Sequence, residues 1–249
     1  MTIARDALRP LKALVKRHVS PASIDRLLLA FPQLYPVLRY ESQLSPAQLQ
    51  ILRELLLKRL PGNIVECGVY RAGTTVLLAR MLSQLDLAKR IYALDSFGGF
   101  AGEIEDEIER GLVVAEGRTA FRANSAEYVR RKLAVLGVAD RVEVVPGFFE
   151  DTLSTIDDRF CLALIDCDLE QSIAFCLEHL WDKIVDGGYV VVDDYANPGY
   201  PGAALAADRF FARVACRSRT ASSNFLVVEK SPAGRAPGPH TIHESFDGR

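Results

Sequence analysis

Carboxylates stand where apolar runs stop in this chain. Glu66 follows Asn63-Ile64-Val65 and opens the stretch Glu66-Cys67-Gly68-Val69-Tyr70-Arg71-Ala72-Gly73. Asp95 closes Ile91-Tyr92-Ala93-Leu94. Asp166-Cys167-Asp168 follows Cys161-Leu162-Ala163-Leu164-Ile165, and Asp193-Asp194-Tyr195 follows Gly187-Gly188-Tyr189-Val190-Val191-Val192. Short apolar runs of this kind read as buried strands, and in an open parallel sheet ligands bind beyond the carboxyl ends of the strands. Acids at several strand ends therefore converge on one crevice, with enough negative charge to hold a cation and assist a reaction. Asp166 and Asp168 share a face if the extended conformation continues through them. Buried carboxylates this close repel one another unless a cation neutralises them. An oxygen-only donor set favours Mg²⁺, Ca²⁺ or Mn²⁺ over zinc. The bland alternative for Asp193-Asp194 is a helix-capping turn. No histidine is well placed: His18 and His179 fall on expected helices, His240 and His243 in the tail.

The other strand ends carry complementary chemistry. Gly68 and Gly73 allow tight turns and close approach of a ligand, and a helix beginning near Gly73 or Thr74 points free N–H groups at the crevice. Neither G-x-G-x-x-G nor G-x-x-x-x-G-K-[ST] is present. An acid beside a glycine turn suits a ligand bearing an ammonium group and a ribose; an ordinary glycine turn would look the same. Asp95 lies 29 residues after Glu66, where an acid commonly grips ribose hydroxyls in doubly wound folds. Gly147 lets the backbone approach a planar ring and Phe148 could lie against it, although an aromatic residue after a strand is more often core.

Elements able to position these residues are legible in the pattern. Ser45-Pro46 is a helix start, followed by the stripe Leu49, Ile51, Leu52, Leu55 and Leu56 and stopped by Pro61-Gly62. Ser20-Pro21 repeats that start, and residues 31–40, with two prolines, read as a loop over the surface or the site mouth. Strands are expected near 63–67, 90–95, 141–146, 160–166 and 187–193, and helices near 73–85, 125–136, 170–184 and 202–213. Alternation of this kind implies a parallel sheet covered on both faces. Two last strands near 213–219 and 223–229, joined by Thr220-Ala221-Ser222-Ser223, form an antiparallel edge. The fold class is thus α/β: a doubly wound, mostly parallel seven-stranded sheet with an antiparallel edge hairpin and an N-terminal helical extension. Three regions follow: the extension at 1–60, the α/β domain at 61–230, and a flexible tail at 231–249. The acidic, glycine-flanked insertion at 98–120 is a candidate lid or else a solvated helix.

Composition sets the outer limits. A chain of 249 residues, 49% hydrophobic, fits one large α/β domain with a helical extension, or at most two small domains. Its net charge of −2 provides no electrostatic footprint for nucleic acid. Five cysteines (Cys67, Cys161, Cys167, Cys176, Cys216) read as reduced core thiols in a cytoplasmic protein. No apolar run approaches the roughly 20 residues that span a bilayer. Residues 1–19 alternate basic and apolar positions, which fits a helix packed on the domain or lying on anionic lipid. Homodimerisation through the N-terminal helices is a further expectation.

Taken in order, Glu66–Gly73, Asp95-Ser96-Phe97-Gly98-Gly99, Gly147-Phe148-Phe149-Glu150-Asp151-Thr152-Leu153, Asp166-Cys167-Asp168 and Gly187–Tyr195 resemble the macrocin O-methyltransferase family, over residues 40–230. These are class I S-adenosylmethionine-dependent enzymes that methylate sugar hydroxyls. The resemblance implies that Glu66, Cys67 and Gly68 contact the methionine part of the cofactor, that Asp95 holds its ribose with Ser96 nearby, and that Ser125, Gly147 and Phe148 line the adenine side. It implies that Asp166, Asp193 and Asp194 bind Mg²⁺ or another divalent cation, with Asp166 also beside the cofactor, and that Asp168 is the general base. Residues Leu169-Glu170-Gln171-Ser172 and the 98–122 region depart from the family pattern, so the acceptor is expected only as a hydroxyl of a sugar, glycan or other small molecule. The alternatives are a catechol acceptor, an Asp-x-Asp glycosyltransferase, and a non-catalytic cofactor-binding protein.

Overall fold

The computed structural model describes residues 41–100, 103–113, 121–122, 124–232 and 242–244. The expected elements before residue 41 and most of the tail lie outside them. Helix α1 (Pro46–Leu57) starts as the sequence dictates: Ser45 and Gln48 form a reciprocal capping box and Pro46 occupies the first turn. The strands are β1 (Asn63–Cys67), β2 (Ile91–Asp95), β3 (Val142–Pro146), β4 (Phe160–Ile165), β5 (Ile184–Val192), β6 (Cys216–Ser222), β7 (Phe225–Lys230) and β8 (Ile242–Glu244). Between them run α2 (Gly73–Gln84), α3 (Glu103–Glu109), α4 (Ala126–Val135), α5 (Phe149–Thr152), α6 (Glu170–Leu180) and α7 (Pro201–Phe211).

The strands form one sheet in the order β3-β2-β1-β4-β5-β7-β6-β8. Strands β1 to β5 are parallel and β7 is antiparallel to both β5 and β6. The seven expected strands are present, and the three-residue β8 adds an eighth beside β6. Every residue of β4 is buried, as its uninterrupted apolar run requires for a central strand covered on both faces. The order reverses between β1 and β4, which places the crevice of a doubly wound sheet above them.

Two boundaries differ from the sequence reading. Residues 220–222 belong to β6 rather than to the hairpin loop, and the turn is the pair Ser223-Asn224, both left-handed at φ 52° and 69°. That is the two-residue geometry matching the twist of the flanking strands. Helix α6 ends at Leu180, and β5 begins at Ile184 and runs through Gly187-Gly188. The acidic helix α3 is not merely solvated: Glu107 is fully buried and its carboxylate accepts the N–H groups of Glu170 (2.8 Å) and Gln171 (2.9 Å). It caps α6 from 63 residues away, which supplies acceptors to a helix whose own N-cap, Leu169, has none.

Candidate active site

A row of backbone hydrogen bonds brings the strand ends level. Gly68 N–H donates to Leu94 O, Asp166 N–H to Cys67 O, and Asp193 N–H to Ile165 O. Gly68 is left-handed at φ 90°, and a Cβ there would lie 1.7 Å from Asp166 O, so only glycine permits the two strand ends to approach. Above them lies a cavity of about 330 Å³, within the range of small-molecule sites.

Asp166, Asp168, Asp193 and Asp194 all line this cavity. The extended conformation does not continue through them, because Asp168 is left-handed at φ 62° and Asp194 at φ 57°. Their backbones curl instead, and the carboxyls of Asp166 and Asp193, and of Asp168 and Asp194, come close enough to influence one another. Burial, followed by the charges of Asp193, Asp168 and Asp194, pushes Asp166 well above the ordinary carboxylate range. Burial and then Asp194 do the same to Asp168. Burial raises Asp193 to about 7 even though the Asp194 N–H and the Gln48 amide donate to it. Among the described residues, the ion pairs involve none of these four acids.

An uncompensated, oxygen-only set is chemically suited to a hard dication. As the side chains stand, no three His, Cys, Asp or Glu among the described residues form a ready metal-binding group.

On the other side of the crevice Glu66, 1% exposed, takes a hydrogen bond from Thr75 Oγ1 at 2.7 Å. Burial raises its carboxyl to about 8, with Asp95 adding to the rise against the Thr75 bond. Asp95 binds backbone: its Oδ2 accepts the N–H groups of Val69 (2.9 Å) and Tyr70 (2.7 Å), and Oδ1 that of Phe97 (2.6 Å). Those bonds hold the turn after β1, where Tyr70 and Ala72 are left-handed at φ 46° and 55°. Burial raises Asp95 against these three donors. Ser96 lines the cavity and its hydroxyl donates to Gly99 O. Gly147, at φ 141°, and the half-exposed Phe148 form the opposite rim. Two sequence candidates stand apart. Cys67 is fully buried in the core beneath the cavity, and Ser125 caps α4 by accepting from Tyr128 N–H at 3.1 Å; neither lines the cavity.

Several lining residues went unnoticed in the sequence. The segment before α1 contributes Glu41 and Ser42, and the first turn of α1 contributes Gln48. That segment crosses the start of α2, where a Cβ on Gly73 would lie 2.1 Å from Ser42 N. It is tied down by Ser42 Oγ to Thr74 Oγ1 at 2.8 Å and by Glu41, whose carboxylate meets Arg71 Nη1 (2.6 Å), Tyr128 OH (2.6 Å) and Lys132 Nζ (2.9 Å). Only Gln48 left a signal, as the third helical residue of a capping box. Tyr70, Phe100 and Phe121 form an aromatic wall with edge-on ring contacts at 5.1 and 5.5 Å. Tyr200 faces the acids; burial, then Asp168, Asp194 and Asp166, raise its phenol to about 12.

Residues 43–216, which carry all of these strand-end acids, match the family model described as macrocin-O-methyltransferase. The chain belongs to the macrocin-O-methyltransferase family. Demethyldecarbamoylnovobiocin O-methyltransferase of Streptomyces niveus is 35% identical over 150 residues, 59% of this chain and 57% of that protein. The 8-demethyl-8-(2,3-dimethoxy-alpha-L-rhamnosyl)-tetracenomycin-C 4'-O-methyltransferase of Streptomyces olivaceus is 33% identical over 142 residues, 55% of this chain and 54% of that protein. The matches thus span little more than half the length of these family members. The solved structure of the O-methyltransferase NovP superposes with a TM-score of 0.63 and 28% identity, over 74% of this chain and 80% of that one.

Proposed function

We propose that this chain transfers the methyl group of S-adenosylmethionine to a hydroxyl of a sugar or glycosylated small molecule. The observation that carries the reading is the meeting of four half-buried carboxylates, none in an ion pair among the described residues, with the Glu66–Gly73 turn in one cavity. Relatives named as methyltransferases of glycosylated natural products support the acceptor class.

Each residue has a physical task. Glu66, held near 8 by burial, gains most when a cation arrives, and the donor's ammonium group is such a cation. The turn held by Asp95 offers the free N–H groups of the α2 start to the donor's carboxylate. Asp95, with three backbone donors on its two oxygens, retains acceptor capacity for a ribose hydroxyl. Phe148, half-exposed on the rim, offers a flat apolar face to the adenine. Asp166, Asp193 and Asp194 would hold a divalent cation, Mg²⁺ foremost. When bound, that ion lowers the pKa of a coordinated hydroxyl and orients it. Asp168 takes the hydroxyl proton as the oxygen attacks the methyl carbon. The carbon–sulfur bond breaks, its electron pair stays on sulfur, and the products are the methyl ether and S-adenosylhomocysteine. Orientation of the two reactants supplies a further share of the rate.

The aromatic wall of Tyr70, Phe100 and Phe121 favours a second acceptor class, a catechol, which offers a flat ring and two adjacent hydroxyls. Family membership argues against the Asp-x-Asp glycosyltransferase and the non-catalytic readings. No helix among the described residues is long and apolar enough to cross a membrane, which accords with a cytoplasmic small-molecule enzyme. The test is transfer of labelled methyl from S-adenosylmethionine to sugar and catechol acceptors, with Mg²⁺ and with chelator. Sugar methylation lost on chelation supports the proposal. Failure of S-adenosylmethionine to bind in calorimetry overturns it, and methylation of catechols alone moves the acceptor to the second class.

A further inference from the structure

Gln48 is a buried amide, 7% exposed, in the first turn of α1. Both its ends are committed. Oε1 accepts from Ser45 N–H at 2.8 Å, and Nε2 donates to Asp193 Oδ1 at 2.9 Å. The first bond decides which end of the amide faces Asp193, since only its oxygen can accept from a backbone N–H. Asp193 Oδ1 also accepts from Asp194 N–H at 2.7 Å. Two donors thus fix one oxygen of this carboxylate and give it a single orientation. Glu completes a capping box as well as Gln does, but a carboxylate cannot donate to Asp193. An amide is the side chain that serves both bonds.

We propose that Gln48 is a positioning residue: it orients the Asp193 carboxylate for the cation and so ties the metal affinity of the β4–β5 acids to helix α1. The inference rests on the divalent-cation reading above. It requires that removing the Nε2 donor weaken cation binding, while losing the helix cap alone does not.

The experiment measures Mn²⁺ binding to the full chain, without donor or acceptor, by the paramagnetic resonance signal of the free ion. Gln48→Met keeps the side-chain volume and removes both bonds; Gln48→Ala repeats the test with a smaller side chain. Ser45→Ala removes the other half of the same capping box and leaves the donor to Asp193 in place. Both Gln48 variants should bind Mn²⁺ about 10-fold more weakly or worse, the usual loss when a ligand's supporting hydrogen bond is removed. Ser45→Ala should bind as wild type does, and S-adenosylhomocysteine affinity should be the same in all three. Wild-type affinity in the Gln48 variants, or equal weakening in Ser45→Ala, overturns the inference while leaving the cation reading intact. A wild-type protein that takes up no Mn²⁺ overturns both.

Discussion

Two groups of half-buried acid share the walls of one cavity and are treated in opposite ways. Glu41 stands alone among donors: Arg71, Lys132 and the Tyr128 hydroxyl all converge on it. Burial works to raise its carboxyl, but Lys132, Tyr128 and Arg71 outweigh burial and hold it below its ordinary value. Asp166, Asp168 and Asp193 meet mainly each other and Asp194, and all three are raised. A scaffold acid is neutralised by the chain itself, because a buried charge without a partner is strongly destabilising. An acid left uncompensated is retained at the expense of stability, and it marks the place where a ligand or a reaction supplies the missing positive charge or takes the proton. Glu107 is an intermediate case: burial raises it, and it is satisfied by the two N–H groups of a helix end rather than by a cation.

Substitutions can break or sharpen this contrast. The largest effect is expected for Asp168→Asn, which removes the proposed base and keeps the shape. Turnover should fall by about 10²–10⁴-fold with S-adenosylmethionine affinity unchanged in calorimetry. Undiminished turnover would remove Asp168 from the base role.

Glu41→Gln comes next. It removes the carboxylate charge that faces Lys132, whose side chain is 2% exposed, and should cost about 2–3 kcal/mol in urea unfolding at pH 7. The sign with pH follows from the lowered carboxyl. The folded state binds fewer protons there than the unfolded chain, so Glu41 contributes its full stability above its ordinary value of 4.5 and loses it as pH falls through the lower folded value. The gap between wild type and Glu41→Gln should therefore close in acid. A gap that persists at low pH would mean that packing, not charge, is what Glu41 supplies.

Glu107→Gln retains one acceptor at the head of α6 and loses the other, with an expected loss of about 1–2 kcal/mol. Hydrogen exchange should quicken first at the amides of Glu170 and Gln171. The smallest effect should have the opposite sign. Asp193→Asn keeps an oxygen for the Gln48 amide and removes one of the mutually repelling charges, so the metal-free protein should gain about 1 kcal/mol while Mn²⁺ uptake is lost. A loss of stability in this variant would erase the distinction between the two groups.

Much of the architecture was legible because its signals are local. The β4 run Phe160–Ile165 is apolar at every position and proved buried on both faces, and the Ser45-Pro46 start became a capped helix. Strand ends could be read as ligand positions, so the placing of Glu66, Asp95, Asp166 and Asp193 around one crevice followed from topology alone. The reading of Asp166 and Asp168 as alternate positions of an extended chain did not hold, because a left-handed residue interrupts the period and a lone Asp gives no warning of it. Ser125, which the family resemblance places beside the adenine, caps α4 by accepting from Tyr128 N–H and does not line the cavity.

The amino-acid sequence by itself determined the alternation of strands and helices, the burial of the central strands, and the family to which the chain belongs. All are carried by residue order and hydrophobic period, which need no partner to be read. Tertiary structure alone decided which acids are neutralised. Glu41 finds its partners 30, 87 and 91 positions away, and Gln48 reaches Asp193 across 145. A charge's balance depends on what the fold brings within a few ångströms of it, and no local pattern records that.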